Sequence, residues 1–144
     1  NAIVSENSIK YFGKSILGTN PDEVIGDIVI KEGVKGISDE AFYECTQMTS
    51  IKLPSSLTTI GDNAFSYCSS LTSITIPDSV TEIGEYAFSD CYALKTVVMS
   101  KNVKSLDGTF CCCYNLKKRG NIRLHYENTS PRCDGKCCHG GIYR

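Results

Sequence analysis

The sequence is poor in the groups that most enzymes work with. Its 144 residues hold two histidines, His125 and His139, both near the C-terminal end. No G-x-S-x-G elbow, phosphate-binding loop or H-E-x-x-H helix occurs, which removes the commonest hydrolase, nucleotide and metalloprotease signatures. No C-x-x-C precedes a helix in a βαβ unit, so thiol–disulfide catalysis lacks its usual frame. No apolar run approaches the roughly 20 residues needed to cross a bilayer. The first residues show no charged-then-apolar leader, and a start at Asn1 leads to the expectation of a mature chain freed of a signal peptide, or of a fragment.

What is present suits one packed domain. Apolar residues make up 41% and charged residues 22% of the chain, which argues against wholesale disorder. The net charge of −1 hides an asymmetry. Residues 1–94 carry five lysines against thirteen acids, −8, and residues 95–144 carry ten Lys/Arg against three acids, +7. If the fold is elongated, the chain is a physical dipole.

Four copies of one pattern account for most of the length. Residues 28–50 read "IVIKEGVKGISDEAFYECTQMTS", 51–73 read "IKLPSSLTTIGDNAFSYCSSLTS", 74–96 read "ITIPDSVTEIGEYAFSDCYALKT" and 97–118 read "VVMSKNVKSLDGTFCCCYNLKK". The first three have 23 residues, and the fourth loses one between Leu106 and Phe110. A fixed period of this size is the mark of a solenoid, because one copy cannot bury its apolar face alone and stacked copies can. "ITI" alternates as a short strand does, and Pro77 and Asp78 then turn the chain. "GEYAFSDC" is too short for a stable isolated helix but predicts one helical or 3₁₀ turn packed on its neighbours. The expected class is therefore an α/β solenoid with a parallel sheet, in which Ile51, Leu53, Ile74, Ile76, Val97 and Met99 point inward. Residues 1–27, with "SIKYFGKSILGTNP" alternating around Gly13, predict a hairpin cap. After the fourth copy, "NIRLHY" predicts a last strand, and residues 119–144 form a Cys-rich C-terminal cap.

The pattern "LTSITIPDSVTEIGEYAFSDCYAL" resembles the cysteine-bearing, 23-residue leucine-rich repeat of BspA-like surface proteins over about residues 28–118. The resemblance implies a short horseshoe, extracellular or exposed at the cell surface, used for adhesion and protein contact. It implies no enzyme, and the "CDGKCCHGG" tail lies outside it.

The nine cysteines divide on the repeat register. Cys45, Cys68, Cys91 and Cys113 share the "C..L" position and predict one buried column, where cysteine acts as a small hydrophobe. A bridge within that column is geometrically possible and unneeded. Cys111 is expected in the slot that Phe88 fills in the preceding copy, and Cys112 in that of an exposed Ser or Asp. These two, with Cys133, Cys137 and Cys138, are the disulfide candidates, because a loop of Gly, Pro and Cys cannot cover the open end of the last coil by burial alone. Pairing is not legible from sequence. Zinc is the rival, since "CDGKCCH" offers three thiols and His139, but its ligands are adjacent rather than in two separated pairs. The expectation is no metal and no cofactor. An odd number leaves at least one thiol without a partner in the chain, reduced or bonded between subunits. "NTS" at Asn128 is a glycosylation candidate.

The remaining candidate site is the outward row of the strands. Val29, Lys52, Thr75, Val98 and Arg123 are expected on the concave face, flanked by Asp27, Ser50, Ser73, Thr96 and Asn121. They are small and mixed, suited to protein contact rather than to a tight small-ligand pocket. Asp62, Asp78, Glu85 and Asp90 sit at turn and cap positions, and His125 alternates with Leu124 on the last strand. "NLKKRGNIR" lacks interleaved aromatics, so no nucleic-acid partner is expected. Two functions compete: a binding and adhesion module using Lys52, Ser73, Thr75, Thr96, Val98 and Arg123 against a protein partner, or a subunit assembling head-to-tail into a filament or layer through its acidic and basic ends.

Overall fold

The structure is a computed structural model that describes residues 3–6, 9–106, 108–116 and 122–123, of which 3–6 and 122–123 are described by their backbone alone. Each 23-residue copy makes one coil with three sides. The first side is built by β4 (Gly26–Val29), β6 (Met48–Lys52), β8 (Ser73–Thr75), β10 (Thr96–Val98) and β11 (Ile122–Arg123). Pairing is parallel and follows the repeat: Ile28 faces Ile51, Ile74 faces Val97, and Val97 faces Ile122. Alternation buries Ile51, Leu53, Ile74, Ile76, Val97 and Met99. The single sheet expected on this side is instead two pieces, β4–β6 and β11–β10–β8. These strands are at most five residues long, so each pair contributes few ladder bonds, and the stack is held across the break by its other two sides, where Ile60 pairs with Ile83 and Phe65 stacks on Phe88.

A second parallel sheet runs along the next side and was not legible in the sequence. Its strands are the pairs Gly36–Ile37 (β5), Thr59–Ile60 (β7) and Glu82–Ile83 (β9), again in repeat register. It continues into the N-terminal residues. Here β3 (Ser15–Thr19) adds in parallel to β5, and β2 (Ile9–Phe12) and β1 (Ile3–Glu6) add antiparallel beyond it, in the order β1-β2-β3-β5-β7-β9. The hairpin around Gly13 is present: Phe12 faces Ser15, and Gly13 takes φ of 59° at the turn, where glycine carries no Cβ penalty. Ile9, Tyr11 and Ile16 are buried and belong to the same core as the coils.

The third side corrects the α/β assignment. Among the described residues the helical structure is one 3₁₀ turn, Pro21–Glu23, outside the repeats. "GEYAFSDC" and its counterparts form consecutive turns with two left-handed residues per coil: Glu40 and Glu44, Asn63 and Tyr67, Tyr86 and Asp90, Gly108 and Cys112. The reason lies in where the amides go. Ala41, Tyr43 and Cys45 donate three residues back, while Glu40, Phe42 and Glu44 donate to Asp62, Ala64 and Ser66 of the next coil. The next coil repeats this, with Asn63, Phe65 and Tyr67 donating to Glu85, Ala87 and Ser89. A helix would send every amide back along its own chain. This backbone sends alternate ones forward, and those inter-coil bonds offset a left-handed cost of about 1 kcal/mol or more per residue. The fold is a β-solenoid.

Equal coil length makes like side chains meet. Phe42, Phe65 and Phe88 stack with centroids 5.0 Å apart, and Phe88 and Phe110 with 5.6 Å. Coil spacing of roughly 4.8 Å and ring separation nearly coincide, so the rings stay almost parallel. Gly61 and Gly84 are demanded by the same stacking, since a Cβ on Gly61 would lie 2.5 Å from the amide nitrogen of Asp39. The Asp39 carboxylate accepts the Asp62 N–H at 2.8 Å, and Asp62 accepts that of Glu85 at 2.8 Å.

Candidate functional site: the outward strand face

The same alternation that buries isoleucines on β6 and β8 turns Asp27, Val29, Lys52, Ser73, Thr75, Thr96 and Val98 to solvent, with Ser50 half-buried beside them. Register places Val29 beside Lys52, and Thr75 beside Val98. Val29 is 69% exposed, far beyond what a residue serving the core shows. Asp27 fixes one edge of the face, accepting from Ser50 Oγ at 2.6 Å and Thr49 Oγ1 at 3.3 Å. The structure thus brings Lys52, Ser73, Thr75, Thr96 and Val98 onto one side. Arg123 stands opposite Val98 in the backbone register. Its side chain, and Asn121, lie outside the described residues. Among the described residues the chemistry of this face is that of modest contact: the Lys52 cation, the Asp27 carboxylate at its edge, short hydroxyls and two valines. Among the described residues no group of three or more His, Cys, Asp or Glu is placed to hold a metal ion.

Cys45, Cys68, Cys91 and Cys113 form one buried column of unbridged thiols. The thiols of Cys68, Cys91 and Cys113 donate to the carbonyls of Phe42, Phe65 and Phe88 at 3.2, 3.1 and 2.9 Å, tying each coil to the one before. Burial pushes the Cys68 thiol well above the ordinary range, and Cys91 is raised by its hydrogen-bonded neighbour Cys113 together with burial. Such thiols are packing groups and not nucleophiles. The expected slot of Cys111 needs correction. Phe110 occupies the Phe88 slot, stacked on it, and Cys111 takes the slot of Ser89. The fourth copy is one residue shorter between Leu106 and Phe110, which shifts the count by one. Cys111 is buried and Cys112, in the Asp90 slot, is half-buried. Cys133, Cys137, Cys138, Asn128, His125 and His139 lie outside the described residues.

A feature missed at the sequence level lies on the turn side. Tyr43, Tyr67, Tyr92 and Tyr114 follow one another along the coils, with Tyr43 edge-on to Tyr67 at 5.7 Å and Tyr92 stacked on Tyr114 at 5.8 Å. Their spacing drifts around the period, so a fixed-offset alignment hides them. The Tyr92 hydroxyl donates to Asp90 Oδ1 at 3.1 Å. Its pKa is pushed up to about 12 by desolvation, then by the Asp90 charge, so the phenol remains a donor.

Three-sided coils with columns of Phe, Cys and Leu inside and a free strand face outside define a leucine-rich-repeat solenoid. The model of the BspA type leucine rich repeat region matches residues 22–129 in six copies, and the chain belongs to that family. Among solved structures, a leucine-rich repeat protein of T. pallidum is 40% identical over 60% of this chain and 41% of its own, with a TM-score of 0.59. One from Eubacterium ventriosum is 27% identical over 85% of this chain and 33% of its own, with a TM-score of 0.74. A leucine rich cell surface protein of Faecalibacterium prausnitzii is 25% identical over 67% of this chain and 35% of its own, with a TM-score of 0.52. The chain spans less than half the length of each of these. No curated protein matches it.

Proposed function

We propose that the chain is a secreted or cell-surface, non-enzymatic adhesion module that binds a protein partner through its strand face. The observation that carries this is the exposed row Val29, Lys52, Thr75 and Val98, which the regular strands present and the fold does not use. Membership of a repeat family built for protein contact supports it, as does the cell-surface description of the Faecalibacterium relative. Among the described residues no helix is long and apolar enough to cross a membrane. In this reading residues 1–27 cap repeats 28–50, 51–73, 74–96 and 97–118. Residues 119–144 close the other end, with Cys111 and Cys112 paired into Cys133, Cys137 and Cys138. Asn128 is its glycosylation acceptor. The test is a surface-protein array probed with the full chain and with a Lys52→Glu/Thr75→Glu variant. The expected result is a binder that the variant loses; an unchanged binder sinks the strand-face assignment, and an array without any binder sinks the module reading.

A second reading rests on the −8 and +7 halves of the sequence: unlike ends of successive copies attract and build an open head-to-tail filament. Sedimentation at low and high salt separates the two, since only the assembly dissociates on screening.

A further inference from the structure

The turn side differs from the strand face in charge and in side chain. Across its segments, residues 38–47, 61–70, 84–93 and 108–115, it carries Asp39, Glu40, Glu44, Asp62, Glu85 and Asp90, and no lysine or arginine. Tyr67, Tyr92 and Tyr114 are 38%, 39% and 48% exposed, a large aromatic area for three adjoining coils. The two ring pairs, Tyr43 with Tyr67 and Tyr92 with Tyr114, lie on the turn segments of successive coils.

We propose that this turn side docks an extended lysine- and arginine-rich segment of another protein. Cations with long aliphatic stems are the groups that aromatic rings and carboxylates recognise together: the stems lie on the rings and the charged heads reach the acids. The chain shows the elementary contact itself, with Lys31 Nζ 4.2 Å from the centroid of the Tyr11 ring. Four coils give three steps of roughly 4.8 Å, about 14 Å, the length of four to five extended residues. Anionic partners are repelled by the same face, and an uncharged apolar partner would leave Glu40, Glu44 and Glu85 desolvated without a counter-charge. The surface is separate from the Lys52 row, so each is tested without the other.

The experiment measures fluorescence anisotropy of a fluorescein-labelled KRKRKR peptide with the full chain, at about 50 mM and about 300 mM salt. Tyr92→Ser/Tyr114→Ser leaves the charge unchanged and is expected to weaken binding about tenfold at both salts. Tyr92→Phe/Tyr114→Phe, which keeps the rings, is expected to retain it. Glu40→Gln/Glu44→Gln/Glu85→Gln is expected to weaken binding chiefly at low salt. Single Tyr67→Ser, at an exposed position, provides the same readout if the double serine variant fails to fold by circular dichroism. Equal binding by the serine variants, or equal binding of an EDEDED peptide, overturns the proposal. So does concentration-dependent self-association that the serine variants abolish, because the occupant would then be a second copy.

Discussion

The strand face and the turn side of one coil are built from the same repeat and hold the molecule together in different ways. On the turn side every second amide bonds to the next coil, and phenylalanines and thiols stack beneath it without a break from Phe42 to Phe110. On the strand face the ladder is interrupted between β6 and β8, and Val29, Lys52, Thr75 and Val98 are exposed. The bonds and ring stacks that run unbroken through the described coils thus lie on and beneath the turn side. Outward residues of the short strands can therefore vary with less effect on stacking than the buried Phe and Cys columns can.

Four measurements would break or sharpen this contrast. Phe65→Ala empties a slot closed by rings 5.0 Å away on both sides, and should cost about 4 kcal/mol in urea unfolding. Gly84→Ala drives a Cβ into the backbone of Asp62 and should cost about 2 to 3 kcal/mol, since backbone cannot swing aside as a side chain would. A loss under about 0.5 kcal/mol for either would show that the turn side is not what binds the coils.

The third measurement is a pH profile. The Cys68 pKa is raised in the folded state, so the native chain holds a proton that the unfolded chain releases above the ordinary thiol value near 9. Its stabilisation is complete below that value and is lost as pH rises beyond it, by about 1.4 kcal/mol per pH unit. Cys68→Ala should flatten its share of that slope, and an equally steep variant would mean that the thiol is accessible. The smallest effect belongs to the strand face. Lys52→Ala and Thr75→Ala should each change stability by less than about 0.5 kcal/mol while lowering affinity for a strand-face partner.

Much of this was legible in the residues. The 23-residue period fixes which side chains stack, and alternation in "IKL" and "ITI" separates Ile51 and Ile74 from Lys52 and Thr75. The helical turn was misjudged because "GEYAFSDC" has helix-compatible composition. Its left-handed Asp90 donates its amide to Cys111 of the adjacent coil, at long range in sequence. The second sheet escaped notice because pairs such as Thr59–Ile60 are too short to show alternation. The tyrosine pairs escaped because their members do not share one offset, and Cys111 was misplaced because one deletion moves the fourth copy by a residue.

By itself the sequence determined that equal coils would pile up with Phe over Phe and Cys over Cys, because a constant chain length per turn forces identical positions to coincide. Only the tertiary structure decided how each coil bends, since amides directed to a neighbouring coil set the backbone at Glu40 and Tyr67 against its local preference. It also decided which exposed side chains adjoin, because residues from different offsets become neighbours only once the coils are stacked.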